Sequence, residues 1–439
     1  MNGVSPVPET AKQETEPRAQ NRDWVEACVW TERMLAALDN GVQGSRWFSL
    51  IDKVYAKATL KAAWERVRRN RGAAGVDRIT VERFEAHAPA YLDELHEDLK
   101  HERYRPQPVR RVEIPKENGK TRPLGIPAVK DRVVQAAVKL VIEPIFEREF
   151  LPTSHGFRPG KGCKAALREV DGLIKAGSVY VVDADIQSCF DRIPHERLMR
   201  SIEQRIGDGR LLRLIEAFLK QDILHGLERW TPTQGTPQGA VLSPLLANIY
   251  LHDLDVGMRD QGHRMVRYAD DFVVLGNDPE HAAGALEAIQ AWMNANELEL
   301  HPDKTRLGDC RIEGQGFEFL GYRFEAGKRW VRRKSIKKLR DAIRRRTSRV
   351  RGDSIARVIA DLNPILKGWF GYFKHAHRYT FNTLDAFVRR RLRAILLKQN
   401  KCGGLGNSPN HSRRWPNAYF AAHGLFTMDR AHALASQSR

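Results

Sequence analysis

Cysteine is scarce in this sequence: five residues among 439, at Cys28, Cys163, Cys189, Cys310 and Cys402. No two stand at metal-ligand spacing, and the count is odd. That argues against a disulfide framework and against a cysteine-built metal site. Reduced thiols in a cytosolic protein are the expectation. Long apolar runs are missing too. None approaches the roughly 20 residues that span a bilayer. The first residues, Met1 to Arg18, are polar, with Glu and Pro. They lack the apolar core of a signal peptide and read as a disordered tail. A cytoplasmic location and no membrane partner are therefore expected. No internal repeat is found.

Acidic residues are outnumbered. Lys and Arg total 73 against 54 Asp and Glu, a net charge of +19. A bland surface mixes signs more evenly, so a polyanion is the natural partner. Hydrophobic residues make up 42% and charged residues 29%, as in a globular chain with a sizeable core. The length suggests about two to three domains.

The rest of the chain is organised around Met265 to Leu275, MVRYADDFVVL. An apolar run leads into the adjacent carboxylates Asp270 and Asp271, and a second apolar run leads out. Val, Tyr and Phe favour strands, so the pattern predicts a β-hairpin with the acidic pair at its tip. Adjacent carboxylates repel, and a divalent cation removes the repulsion. Mg²⁺ is usually held by one or two carboxylates plus substrate phosphates. Taken alone, the stretch reads equally as a solvated turn. A second acidic run stands upstream. Val179 to Ile186 is apolar and ends in Asp183, Ala184 and Asp185, with Asp191 close behind. Alternation puts Asp183 and Asp185 on one face of a strand. A strand-end acid here can complete a metal site with Asp270 and Asp271. Spacing does not choose among the three acids, although pairing or capping suits Asp183 and Asp191.

Around these runs the pattern predicts a helix from Trp47 to Arg71 and another from Thr80 to Lys100. A basic hairpin follows, Val109 to Pro127, turning at Asn118-Gly119. It carries Lys116, Lys120 and Arg122, cations that suit a triphosphate. A long helix is predicted from Asp131 to Phe150. The Gly-rich basic loop Ser154 to Gly162 contains Arg158 and could track a phosphate backbone, though it is not a Walker sequence. Helices are expected to about Leu227, then a Pro/Gly turn at Thr233–Ala240 and a helix from Val241 to Leu254. After the acidic hairpin come a helix from Pro279 to Asn296 and strands at Leu298–Thr305 and Phe317–Phe324. The order strand, helices, hairpin, helix, strand resembles a split βαβ unit. Beyond Gly327 the composition turns basic, with helices at Arg329–Arg351, Ile355–Phe373 and Leu384–Leu397. Their apolar stripes suit core packing and their cationic faces suit phosphates.

Eight blocks of this chain, in order, resemble a group II intron reverse transcriptase, also called a maturase. They are NRGAAGVD (Asn70–Asp77), IPKENGKTRPLGIP (Ile114–Pro127), SHGFRPGKGC (Ser154–Cys163), DADIQSCFDRIPH (Asp183–His195), GTPQGAVLSPLLANIYLHDLD (Gly235–Asp255), RYADDFVVL (Arg267–Leu275), LELHPDKT (Leu298–Thr305) and FEFLGYRF (Phe317–Phe324). The tail, with LNPILKGWFGYF (Leu362–Phe373) and RRWPNAYFAAHGLF (Arg413–Phe426), is similar to the family's thumb and maturase region.

The resemblance implies an α+β right-hand polymerase with fingers, a ferredoxin-like palm and a helical thumb. The expected division is an N-terminal extension at 1–44, fingers and palm at 45–326, and thumb and maturase region at 327–439. The resemblance assigns two catalytic Mg²⁺ ions to Asp185, Asp270 and Asp271, with Mn²⁺ able to substitute. It places Lys116 and Arg122 on the incoming triphosphate and Gln238 near nucleotide and template. It makes Phe190 the steric gate against a ribose 2′-hydroxyl. Lys304 and Arg158 are assigned near primer and template. The implied partners are a group II intron RNA, an RNA template with a DNA primer, dNTPs and target DNA. The chain carries no paired cysteines and histidines of the kind found in the family's nuclease segment, so second-strand cleavage is not expected. A primer would then come from elsewhere, such as a replication fork. The short form resembles the class C-like branch. The competing readings are a non-catalytic splicing cofactor on the same scaffold and a related reverse transcriptase serving defence or repair.

Overall fold

The computed structural model describes residues 23–42, 45–115, 119, 121–350 and 352–437. Eleven strands are present among them: β1 (Val109–Pro115), β2 (Thr121–Ile126), β3 (Tyr180–Asp185), β4 (Ile223–His225), β5 (Glu228–Trp230), β6 (Arg264–Tyr268), β7 (Asp271–Gly276), β8 (Arg306–Asp309), β9 (Phe317–Phe319), β10 (Tyr322–Glu325) and β11 (Lys328–Val331).

The N-terminal helices gather around the helix Val129–Glu147. That helix is buried on nearly every side, including Asp131, Gln135 and Glu143, as a central core helix must be. The helix Lys57–Asn70 turns Leu60, Ala63, Trp64 and Val67 toward it, one apolar stripe at helical spacing. The helix expected over 80–100 is two helices, Val81–Ala86 and Ala88–Lys100. Pro89 has no N–H to give to a continuing helix, so it sits in the first turn of a new one. The helix expected over 47–71 is likewise divided, with Ala56 extended between Ile51–Tyr55 and Lys57–Asn70.

The palm sheet has the order β6-β7-β3-β8, antiparallel throughout. In chain order these are its second, third, first and fourth strands. The connections run strand, helices, hairpin, helix, strand, which is the ferredoxin-like arrangement. The inner helices are Ser243–Asp260 and Pro279–Ala295. A second sheet, β2-β1-β4-β5, carries the basic hairpin. Strands β4 and β5 replace the helix expected to reach Leu227. They are three residues each and turn at Gly226, and β4 exists because β1 recruits it as a parallel neighbour through Val109 and Ile223.

Two further expectations differ. Leu298–Thr305 is not a strand. Lys304 and Thr305 both donate their N–H to the His301 carbonyl in a turn around Pro302, and pairing with β3 begins at Arg306. Phe317–Phe324 is two strands, β9 and β10, reversed at Leu320 and Gly321, both with positive φ. Strand β11 then pairs with β10, so Arg329 lies in a strand and the basic helix starts only at Arg333. The expected boundary at residue 327 therefore falls inside a hairpin. The core does not divide there either. Val181, Val273 and Leu275 of the palm sheet share one apolar cluster with Phe317, Tyr322, Leu362, Phe381 and Leu392. Among the C-terminal helices, Ile355–Phe373 buries Phe370 and Phe373 in that cluster, so these aromatics serve packing.

Candidate active site

Strands β3 and β7 bring the acidic runs together. Their ladder sets Asp185 opposite Asp271, and β6 pairs Tyr268 with the same Asp271. Ala269 and Asp270 make the two-residue turn, with Ala269 at φ 60°. Asp183, two residues back on β3, meets Arg306 of β8 at 3.2 Å. It is thus paired, as suits a structural acid. Sequence reading passed over Arg306; only the non-local register of β8 reveals it.

The carboxylates crowd one another. Burial first, then Asp183, Asp270 and Asp185, push the Asp271 carboxyl up to about 7. Burial and Asp185 raise Asp270 as well. Lys304 lies 2.5 Å from Asp185, with both side chains about half exposed. This lysine therefore touches an active-site carboxylate directly. Among the described residues, no group of three Asp, Glu, His or Cys side chains is drawn into a ready metal cage. The donor chemistry nonetheless fits a hard divalent cation: all oxygen, mutually repelling, and opened to one side. Mg²⁺ keeps waters and substrate phosphates rather than taking an all-protein cage.

The other expected residues cluster beside this site. Phe190, part-buried on the short helix Cys189–Arg192, accepts a hydrogen bond on its carbonyl from Thr236 N–H at 2.6 Å. Gln238 donates from Nε2 to Asp191 at 3.0 Å, and its carbonyl accepts from Gly125 N–H at 2.7 Å. The steric-gate helix, the Gln238 loop and β2 are thereby joined. Asp191 is thus a partner of Gln238. Arg122 is exposed on β2, opposite Ile114. Lys116 and Lys120 lie outside the described residues.

Arg158 is a correction. Its side chain is 4% exposed and forks onto Glu147, and it donates further to the carbonyls of Phe150, Leu151 and Ser154. A guanidinium spent on internal acceptors has no donors left for a primer or template. The Gly-rich basic loop misled because composition does not show which way a side chain points.

Residues 114–324 match the family described as reverse transcriptase (RNA-dependent DNA polymerase). Residues 336–415 match the group II intron maturase-specific domain. Protein YkfC of Escherichia coli (strain K12) is 34% identical over 289 residues, covering 57% of this chain and 75% of YkfC. The group II intron-encoded protein LtrA of Lactococcus lactis subsp. cremoris is 41% identical over 269 residues, 59% of this chain. The match spans 44% of LtrA, less than half its length. A solved chain of a partial Cas6-RT-Cas1–Cas2 complex aligns over 58% of this chain and 45% of its own, at 22% identity and a TM-score of 0.36. With both domain matches in sequence, and with 75% of YkfC covered, the chain belongs to the group II intron reverse transcriptase/maturase family.

Proposed function

We propose that this reverse transcriptase extends a DNA primer on an RNA template, and that its helical region holds a group II intron RNA and assists its splicing. The observation that carries the reading is the Asp185–Asp271 register pair with Asp270 beside it, at the open end of a ferredoxin-like sheet. RNA binding alone has no use for such a cluster, since bare carboxylates repel phosphate. Two Mg²⁺ ions, with Mn²⁺ able to substitute, would supply activation of the primer 3′-hydroxyl and stabilisation of the leaving pyrophosphate.

The chain's own residues do the rest. Asp185, Asp270 and Asp271 present the anionic oxygens. Lys304 leaves Asp185 when a cation takes its place and remains beside the primer end. Arg122, with Lys116, meets the incoming triphosphate. Phe190 stands where a ribose 2′-hydroxyl would go and so selects dNTPs. Gln238, steadied by Asp191, lies against nucleotide and template. The basic helices from Arg333 onward take the intron RNA by its phosphates. Target DNA is the further partner of intron mobility. No helix among the described residues is long and apolar enough to cross a membrane. The reading puts the protein in the cytoplasm with its transcript.

The test is primer extension on an RNA template with Mg²⁺ and dNTPs, wild type beside Asp270→Asn. Extension by the wild type alone is expected, with equal RNA affinity in both proteins. Tight binding to structured RNA without extension by either protein would replace this reading with a non-catalytic splicing cofactor.

A further inference from the structure

We infer that Arg267, Asp255 and Asn248 are positioning residues that hold the Ala269–Asp270 turn, and with it the metal-binding carboxylates, from inside the palm. The inference rests on the polymerase reading of this site.

Arg267 lies in β6 next to the catalytic turn and is fully buried. A buried guanidinium is tolerated only when it is paired. Its Nε donates to Asp255 Oδ1 at 2.7 Å, and its Nη2 donates to Asp255 Oδ2. Its Nη1 donates both to Asn248 Oδ1 and to the Ala269 carbonyl, each at 2.9 Å. Asp255 and Asn248 come from one helix, Ser243–Asp260, about two turns apart on the same face. Asn248 passes the link onward by donating to the Gly156 carbonyl at 2.8 Å. Gly156 in turn presses on the turn: a Cβ there would stand 2.2 Å from Ala269 N. The Arg267 backbone is held as well, donating to Thr153 and accepting from His155.

The turn is thus gripped on its carbonyl by Arg267 and on its amide side by Gly156. It needs the grip. Ala269 sits in the left-handed region, which a residue with a Cβ keeps only where its surroundings over-determine it. The carbonyl that Arg267 holds belongs to the peptide joining Ala269 to Asp270. Its orientation sets where both carboxylates emerge. Stability alone does not call for this arrangement, because well-packed apolar residues stabilise a core at least as well as a buried ion pair. What apolar residues cannot supply is the donor to Ala269.

The test uses the full chain. Mn²⁺ binding to the protein without substrate is read by electron paramagnetic resonance, beside melting temperature, RNA affinity and the Mg²⁺ dependence of primer extension. Arg267→Lys keeps the charge and loses the fork. A paired variant, Arg267→Met with Asp255→Leu, fills the same space without polar atoms. In both, Mn²⁺ affinity is expected to fall and the Mg²⁺ half-saturation point to rise about tenfold, the scale seen when the supports behind metal ligands are removed. RNA affinity is expected to stay at the wild-type level. A lower melting temperature with unchanged Mn²⁺ affinity and unchanged Mg²⁺ half-saturation would overturn the inference and leave a purely structural ion pair. Should the paired variant not fold, Arg267→Lys decides by the same readouts. Asp270→Asn is the reference: wild-type Mn²⁺ binding by that protein would sink the metal reading itself, whatever the network does.

Discussion

Gly239 and Gly125 meet backbone to backbone: a Cβ on Gly239 would stand 2.6 Å from the Gly125 carbonyl oxygen. Gly125 donates its N–H to the Gln238 carbonyl in return. The strand that bears Arg122 is fastened this way to the loop that bears Gln238.

Gly239→Ala should therefore damage nucleotide use without touching a contact residue. The position has φ 106°, where a side chain is strained, and the added methyl would push β2 away. Misplacing a binding group by about 1 Å costs on the order of 10²-fold in rate. A loss of that size in kcat/KM for dNTPs is expected in steady-state extension, with RNA affinity unchanged.

Phe190→Ala should relax the choice of sugar. Removing a steric block in a small pocket changes discrimination by about 10- to 200-fold. The ratio of kcat/KM for dCTP over CTP should fall within that range. An unchanged ratio would remove Phe190 from the gate.

Metal use should depend on pH through Asp271. Its carboxyl is pushed from 3.8 up to about 7 in the folded protein, so it keeps its proton as pH falls below 7. A proton there excludes a cation. The Mg²⁺ half-saturation point should rise about tenfold per pH unit below that value and level off above it. Stability carries the same sign. Between 3.8 and about 7 the folded chain holds a proton that the unfolded chain has released, so the metal-free protein loses stability as pH rises through that window. Urea titrations at several pH values should show the slope in wild type and its loss in Asp271→Asn.

Arg158→Ala should act on folding. It leaves Glu147, 13% exposed, without its partner. Breaking a buried pair from one side costs about 3–5 kcal/mol. A loss of that size in urea denaturation is expected, while the folded fraction binds RNA as tightly as wild type.

The acidic hairpin was legible because its signal is local. Apolar alternation on both sides of Asp270 and Asp271 fixes strands and tip together. Asp185 needed the family resemblance, since Asp183 and Asp191 were equally plausible by spacing. The structure separates them by partners: Arg306 for Asp183 and Gln238 for Asp191. Neither partner could be read locally. Arg306 lies 123 positions from Asp183 and Gln238 lies 47 from Asp191. The short strands β4, β5 and β11 escaped for the same reason, as each is made by a neighbour rather than by its own periodicity. Arg267 was quoted within a motif and given no role, because a charged residue in an apolar run announces burial only when its partner Asp255 is known.

The hairpin β10–β11 gives this hand no wrist. Its first strand pairs with β9 on the palm side, and its second runs straight into the helix Arg333–Arg346. The RNA-holding half is therefore not a cassette. A chimaera that swaps it between relatives has to place its seam upstream of Phe317. A seam at 327 would strip β10 of a neighbour and leave a bare strand edge, open to pairing with other chains.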